Sequence, residues 1–187
     1  MTEAANPKVE FTTLYVVRHG ETEWNALDIL QGHLNSPLTE RGREQARLLG
    51  ERFRHVDIDA VFSSDLVRAQ RTAEIAFLER ELAAVTSDLL RERNWGEWDG
   101  RPADMFREEA RALIEEYQQL TREEQWGFKY SDHVESYEEI FGRFMAFLRE
   151  VAIAYPGRSI VVISHLVVME TLLIHLGHRP TFIGNEA

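Results

Sequence analysis

Two apolar stretches of this chain end in the same way, with one polar residue followed by a histidine. The first reads Leu-Tyr-Val-Val-Arg-His over residues 14–19, and the second reads Ile-Val-Val-Ile-Ser-His over residues 160–165. Near-continuous apolar runs are typical of parallel strands that helices cover on both faces. Ligands bind at the carboxyl edge of such sheets, so if the two strands are neighbours in register we expect His19 and His165 to lie side by side at one site.

Strands and helices alternate along the rest of the chain. Strands are predicted over 12–17, 59–62 and 159–163, with a short fourth strand near 84–86. Four helical segments are predicted: one that Thr39 starts, one that Ser64 caps and that runs to about Leu78, a charged one over 101–127, and an amphipathic one over 136–154.

This alternation favours an α/β fold. The expected architecture is a three-layer sandwich with a mostly parallel central sheet, helices on both faces and a helical cap insert. Because the 187 residues are 44% hydrophobic, they suffice for one domain with a sizeable core. We therefore expect residues 1–187 to form a single domain, in which residues 100–135 are the cap insert over the site.

Charge and composition exclude several classes of partner. The formal net charge is −11 at pH 7, whereas surfaces that bind nucleic acid or anionic membranes need surplus Lys and Arg. There is no cysteine for disulfides or metal binding. The N-terminal segment MTEAANPKVEF lacks the features of a signal peptide, and no apolar run approaches membrane-spanning length. We expect a cytoplasmic monomer or homodimer with no nucleic-acid or membrane partner.

Two arginines accompany the two histidines. Arg18 precedes His19, and Arg68 falls in the first turn of the helix predicted after Ser64. A cation in a first helical turn opposes the helix dipole, so its presence there favours a bound anion over a local stabilising role. Guanidinium groups match phosphoryl oxygens, and a neutral imidazole can attack phosphorus and carry the phosphoryl group covalently. These side chains predict phosphoryl transfer through a histidine, on a small phosphorylated metabolite.

Six blocks of the sequence, in order over nearly the whole chain, resemble the phosphoglycerate mutase-like branch of the histidine phosphatase superfamily: LYVVRHGETEWN, PLTERGREQA, SSDLVRAQRTAE, LRERNWGEWDG, ESYEEIFGRF and VVISH. The catalytic set that this resemblance implies is His19 as the phosphorylated nucleophile, Glu92 as proton donor, and Arg18, Arg68 and His165 around the phosphate. The substrate-binding set that it implies is Asn25, Gln31 and Gly32. No metal and no cofactor are expected.

The segment after the second histidine departs from the pattern of this family. Leu166 stands where relatives usually have glycine, and Glu170 lies further along a helix on which they often carry arginine. The backbone N–H at position 166 is expected to face phosphate, so the leucine side chain is expected to tighten the pocket or alter the turn.

Within the family, the composition of the cap favours a phosphatase that acts on a phosphomonoester. A cofactor-dependent phosphoglycerate mutase must hold a carboxylated substrate in two orientations, for which relatives use extra cations in a longer insert. Residues 101–135 carry five Arg or Lys and nine Asp or Glu. The cap also contains aromatic residues that either line the site for an organic leaving group or pack the cap onto the sheet: Trp95, Phe106, Tyr117, Trp126, Phe128 and Tyr130.

Two alternatives of other classes stay open at this point. One is a degenerate, non-catalytic module that binds phosphoesters, which the leucine at position 166 motivates. The other is a metal site that combines His175 and His178 with the strand-end histidines, although Arg18 and Arg68 would repel a cation. A dinucleotide-binding fold is disfavoured, because the first strand is followed by RHGETE and not by a glycine-rich turn.

Overall fold

A computed structural model describes residues 11–80 and 82–178 of the chain. Its centre is a four-stranded parallel sheet in the order β1-β4-β2-β3. The strands are β1 (Thr13–Arg18), β2 (Ala60–Ser64), β3 (Ala84–Ser87) and β4 (Ser159–Ser164). All four lie within a residue or two of their predicted positions, and the predicted parallel arrangement is confirmed.

The described ranges contain eight α-helices. They are α1 (Glu23–Ala26), α2 (Glu40–Arg52), α3 (Val67–Phe77), α4 (Ala103–Glu109), α5 (Arg111–Gln119), α6 (Arg122–Gly127), α7 (Tyr137–Ala154) and α8 (Leu166–His175). Thr39 caps α2 with its side chain, in agreement with the predicted start of that helix, and Ser136 caps α7, which was predicted over 136–154. None of the helices in the described ranges has the length and apolar character that crossing a membrane requires.

Helices pack on both faces of the sheet. Successive side chains of β4 point to opposite faces, so each set packs against different helices. Ile160 and Val162 pack in one core cluster with side chains of α7 and with Val168 of α8. Val161 and Ile163 pack in a second cluster with side chains of α3. These four residues of β4 are fully buried, so their near-continuous apolar run corresponds to a central strand.

The structure corrects two helix boundaries. Ser64 does not cap α3: the residue remains in β2, its hydroxyl accepts from the backbone of Leu66 at 3.3 Å, and α3 begins at Val67. The charged segment 101–127 is not one helix but three. The break between α5 and α6 comes at Thr121. The side chains of Thr121 and Glu124 form a capping box that starts α6.

The helices α4 and α5 share a separate core with the segment 95–98. Trp98, Phe106, Ala110 and Val134 are buried together, with Tyr130 packed against them. The N-terminal segment on which the absence of a signal peptide is predicted lies outside the described residues, as does the end of the chain beyond residue 178.

Candidate active site

The two strand-end histidines lie side by side, as the sequence predicts. Strands β1 and β4 pair in parallel with Arg18 opposite Ser164, so the next residue of each chain segment is a histidine. The ring centroids of His19 and His165 are 5.0 Å apart, and the backbone N–H of His19 donates to the carbonyl oxygen of Ser164 at 3.1 Å. Both rings are buried at the carboxyl edge of the sheet.

His19 is held as a neutral imidazole with one nitrogen available. Its Nδ1 lies 2.7 Å from the carbonyl oxygen of Gly20. A carbonyl can only accept, so Nδ1 carries the proton and Nε2 carries the lone pair. Burial, and then the positive charges of Arg68 and Arg18, lower the pKa of His19 to about 3. The ring is therefore uncharged and nucleophilic at Nε2 at neutral pH.

The loop that carries His19 is braced by direct backbone contact with α2. A Cβ atom on Gly20 would lie 2.4 Å from the carbonyl oxygen of Gly42, and a Cβ atom on Gly42 would lie 2.0 Å from the carbonyl oxygen of Glu21. Both distances are shorter than real contacts allow, so this approach of helix to loop needs glycine on both sides. In addition, the Gly20 N–H donates to the Thr72 hydroxyl at 3.0 Å.

Arg68 is the buried cation of the site. It is the second residue of α3 and is 1% exposed. Its Nη1 donates to the carbonyl oxygen of Leu34 and its Nη2 to that of Gly32, each at 2.8 Å. Burial lowers its pKa to about 10, against the raising effects of Glu92 and Asp99, so the guanidinium stays charged at neutral pH. Gly32, predicted to contact substrate, thus orients Arg68 through its carbonyl group.

Several buried polar atoms near these side chains lack a hydrogen-bond partner among the described residues. They are Nε of Arg68, both ring nitrogens of His165, and Oε1 of Gln31. Leaving such a group unsatisfied costs about 1–3 kcal/mol, so native proteins concentrate such atoms where they serve a function. Burial, followed by the charges of the neighbouring His19 and Arg68, lowers the pKa of His165 well below its usual value.

Asn25 and a cavity lie on the open side of His19. The Oδ1 atom of Asn25 accepts from the N–H and the hydroxyl of Thr22, at 3.1 and 2.9 Å, in the capping box of α1. The amide nitrogen is therefore the group of Asn25 that suits an anion. A cavity of about 410 Å³ opens between the loop of His19 and α2, where Arg41 and Gln45 line it together with Arg18, His19 and Asn25. Arg68, His165 and Glu92 do not line this cavity, so it reaches only the His19 side of the site.

The carboxyl group of Glu92 contacts the start of α8, next to His165. Its Oε1 accepts from the backbone N–H of Arg93 at 2.8 Å, and its Oε2 accepts from the backbone N–H of Leu166 at 3.1 Å. The expectation that the N–H of Leu166 faces phosphate is therefore wrong in this structure, because that N–H is bonded to Glu92. The residue after the second histidine serves to place the carboxyl group.

Sequence reasoning missed Arg143, which holds the loop before and at Glu92. Its terminal nitrogens donate to the carbonyl oxygens of Leu89, Arg91 and Glu92 at 2.6 to 3.0 Å. Its Nε donates to the carboxylate of Glu135 at 3.0 Å. The only signal in the sequence was its place in the block ESYEEIFGRF, since no local pattern shows that an arginine of α7 reaches a distant loop.

The cap aromatics pack mainly against one another. Trp95, Phe106, Phe128 and Tyr130 form edge-on or stacked pairs with ring centroids 5.1 to 6.5 Å apart. The guanidinium carbon of Arg93 lies 4.5 Å from the centroid of the Trp95 ring, with the rings of Tyr130 and Tyr137 at 5.4 and 5.3 Å. These aromatic residues therefore pack on one another and on Arg93, and their contact with a leaving group stays a prediction.

The metal alternative finds no support in the described part of the chain, where no group of three or more His, Asp or Glu side chains could hold an ion. His175 ends α8, and at 1.5 Å per residue it lies about 15 Å along the helix from His165. Its ring packs on Phe141 at 4.5 Å. The two strand-end histidines and His175 therefore do not form one site.

We expect Arg68→Ala to weaken the binding of inorganic phosphate or vanadate by about 1.5–3 kcal/mol, the usual value of a hydrogen bond to a charged group. Arg71→Ala is the matched control, because Arg71 lies on the same helix with an exposed side chain that pairs with Glu74. Titration calorimetry measures both variants, and thermal unfolding checks that they are folded. Equal affinities of Arg68→Ala and Arg71→Ala would exclude Arg68 from the anion site.

Comparison with known proteins agrees with this geometry. The model of the histidine phosphatase superfamily (branch 1) matches residues 14–182. “Uncharacterized phosphatase PhoE” of Bacillus subtilis (strain 168) is 32% identical over 165 residues, which are 88% of this chain and 77% of that protein. “Probable phosphoglycerate mutase GpmB” of Yersinia pestis (strain Pestoides F) is 48% identical over 91 residues, which are 49% of this chain and 42% of that protein.

A solved structure extends the likeness to three dimensions. YhfR of Bacillus stearothermophilus matches with a TM-score of 0.80 at 31% sequence identity, over 90% of this chain and 81% of that chain. The family match covers both strand-end histidines, the start of α3 and the loop of Glu92. The chain therefore belongs to branch 1 of the histidine phosphatase superfamily.

Proposed function

We propose that this protein is a phosphatase that hydrolyses a small phosphomonoester through a phosphohistidine on His19. The observation that carries the proposal is the neutral His19 ring, whose Nδ1 is bound to a carbonyl group and whose Nε2 is free, beside the buried Arg68 and His165. A nucleophile next to fixed cationic and polar donors suits attack on phosphorus, since the donors stabilise charge on the phosphoryl oxygens.

The reaction proceeds in two displacements at phosphorus. In the first, Nε2 of His19 attacks, the bond between phosphorus and the ester oxygen breaks, and Glu92 gives its proton to the departing alcohol. In the second, a water molecule attacks the phosphohistidine, Glu92 takes a proton from that water, and inorganic phosphate leaves with the imidazole restored. Arg18, Arg68, His165 and the amide of Asn25 hold the phosphoryl oxygens throughout, and Gln31 and Gly32 complete the proposed substrate-binding set.

The charges of the chain favour hydrolysis over mutase activity, and they make a resident metal unnecessary. Arg18 and Arg68 supply the positive charge on which phosphoryl transfer depends. Residues 101–135 carry more acidic than basic side chains, which disfavours retention of a carboxylated intermediate. We further propose a metal-independent, cytoplasmic enzyme, monomeric or homodimeric, whose residues 1–187 form one domain with residues 100–135 as the cap over the site.

A phosphate-release assay on a panel of phosphomonoesters tests this function. We expect the wild-type protein to release phosphate from several esters and to keep its full rate after exhaustive treatment with EDTA. Interconversion of 2- and 3-phosphoglycerate at a rate above phosphate release would favour the mutase alternative. Binding of phosphate without release from any ester would favour the non-catalytic module, and loss of activity on chelation would contradict metal independence.

A further inference from the structure

Glu170 is a buried carboxyl group that the proposed mechanism does not use. It lies in α8, whose residues are otherwise mostly apolar, and its relative exposure is 3%. Glutamate is rarely this buried unless a neighbour or a ligand compensates the loss of water. Burial is the largest cause that raises the pKa of Glu170, to about 7, and the negative charge of Glu92 is the second.

The helix places Glu170 beside the proposed proton donor. Glu170 is four residues after Leu166, and residues with this spacing share one face of a helix. Helical side chains lean toward the N-terminus, so the carboxyl group extends back over the turn that begins at Leu166. The N–H of Leu166 is bonded to Oε2 of Glu92 at 3.1 Å. The two carboxyl groups therefore face the same small region at the start of α8.

Tyr137 of α7 and Tyr117 of α5 lie near Glu170 on its other side. Burial is the largest cause that raises the pKa of both tyrosines, and the negative charge of Glu170 adds to it. The positive charges of Arg18 and then of Arg93 act in the opposite sense and lower the pKa of Glu170, so they partly offset burial and the charge of Glu92. Arg93 is itself 4% exposed and donates through Nε to the carbonyl oxygen of Glu135 at 2.8 Å.

We propose that Glu170 determines specificity by selecting the leaving group: it favours alcohols that carry a hydroxyl or ammonium group near the ester, and it disfavours alcohols that carry a carboxylate. The proposal rests on the proposed phosphatase function. The ester oxygen must reach Glu92 to receive its proton, so the rest of the alcohol lies between Glu92 and the cap, where Glu170 is located.

Charge and hydrogen bonding explain the selectivity. A carboxylate on the leaving group would lie beside the negative charge of Glu170 in a buried region, and it would have to compete with Glu170 for Arg93. Like charges brought together in such a site cost several kcal/mol. A hydroxyl or ammonium group instead donates a hydrogen bond to Glu170. The substrate class is therefore a phosphorylated polyol or amino alcohol.

Glycerol 3-phosphate and 3-phosphoglycerate form a matched pair for the test, because they differ only in a hydroxymethyl group against a carboxylate. The measured quantity is the ratio of their kcat/KM values, with p-nitrophenyl phosphate as a reference ester that has neither group. We expect the wild-type enzyme to prefer glycerol 3-phosphate. Glu170→Gln should shift this ratio toward 3-phosphoglycerate by roughly tenfold or more, the scale of a removed like-charge contact.

Glu150→Gln is the control, because it removes one negative charge from the exposed surface of α7. It should leave the ratio at the wild-type value. A wild-type preference for 3-phosphoglycerate overturns the proposal, whether or not Glu170→Gln folds. The proposal is also overturned if a folded Glu170→Gln variant has the same ratio of kcat/KM values as the wild type. If p-nitrophenyl phosphate is hydrolysed in these cases, the phosphatase function stands. Failure to hydrolyse all three esters would overturn both proposals.

Discussion

His19→Ala should lower kcat by about 10⁴-fold or more, the scale expected when a covalent nucleophile is removed. The alanine has no lone pair with which to attack phosphorus, whereas the neighbouring donors still bind the ester. Rapid quenching of the wild-type enzyme with a labelled ester should trap an acid-labile, base-stable phosphoenzyme that the variant does not form. Since His19 has a pKa of about 3, its ring stays neutral at pH 5, and the phosphoenzyme should form there as at pH 7.

His55→Ala is the control for this experiment, because His55 is exposed on the surface. It should retain the wild-type rate and the phosphoenzyme. Thermal unfolding of both variants separates loss of the nucleophile from loss of the fold. A His19→Ala variant that is folded and still turns over at the wild-type rate would exclude a covalent role for His19.

Glu92→Gln should slow hydrolysis of an alkyl phosphate by about 10²- to 10⁴-fold, the usual contribution of general acid catalysis. An alkoxide needs a proton as it departs, whereas p-nitrophenolate is stable without one. The loss on p-nitrophenyl phosphate should therefore be much smaller. Steady-state kcat values for glycerol phosphate and the aryl ester measure this difference within one variant, so a loss of folded protein cancels from the ratio.

The geometry of Glu92 gives this variant a second, separable effect. A glutamine can accept from the N–H of Arg93 with its oxygen, but its amide nitrogen then meets the N–H of Leu166 as a second donor. One hydrogen bond is lost, which costs about 1 kcal/mol of stability. Glu97→Gln is the control, because the carboxyl group of Glu97 is close in the chain and exposed. Equal losses on both esters would assign Glu92 to positioning and not to proton transfer.

The arrangement of His19 and His165 could be predicted from sequence, because its signals are local. An apolar run of fixed length sets where each strand ends, and parallel pairing then brings the two following residues together. The start of α2 is also local, since Thr39 caps it with its own side chain. The position of Arg68 in the first turn of α3 also follows from nearby residues, although the prediction that Ser64 caps this helix is wrong.

Other features depend on contacts between distant segments and could not be predicted. Arg143 stabilises the Glu92 loop from about 50 positions further along the chain, and no pattern in α7 distinguishes it from an exposed arginine. The break at Ala110 is of this kind too, because this small residue is buried against Trp98 and Phe106 of the cap core. The burial of Glu170 likewise depends on how α7 packs on α8.

The close approach of Gly20 and Gly42 has a consequence for how this enzyme can evolve. A single methyl group at either position would push α2 away from the loop that begins at His19. The nucleophile is therefore vulnerable to mutation at a residue that lies on another element. We therefore expect variation that changes substrate range to occur in the side chains of the proposed cap and of α8, where no such glycine contact is needed.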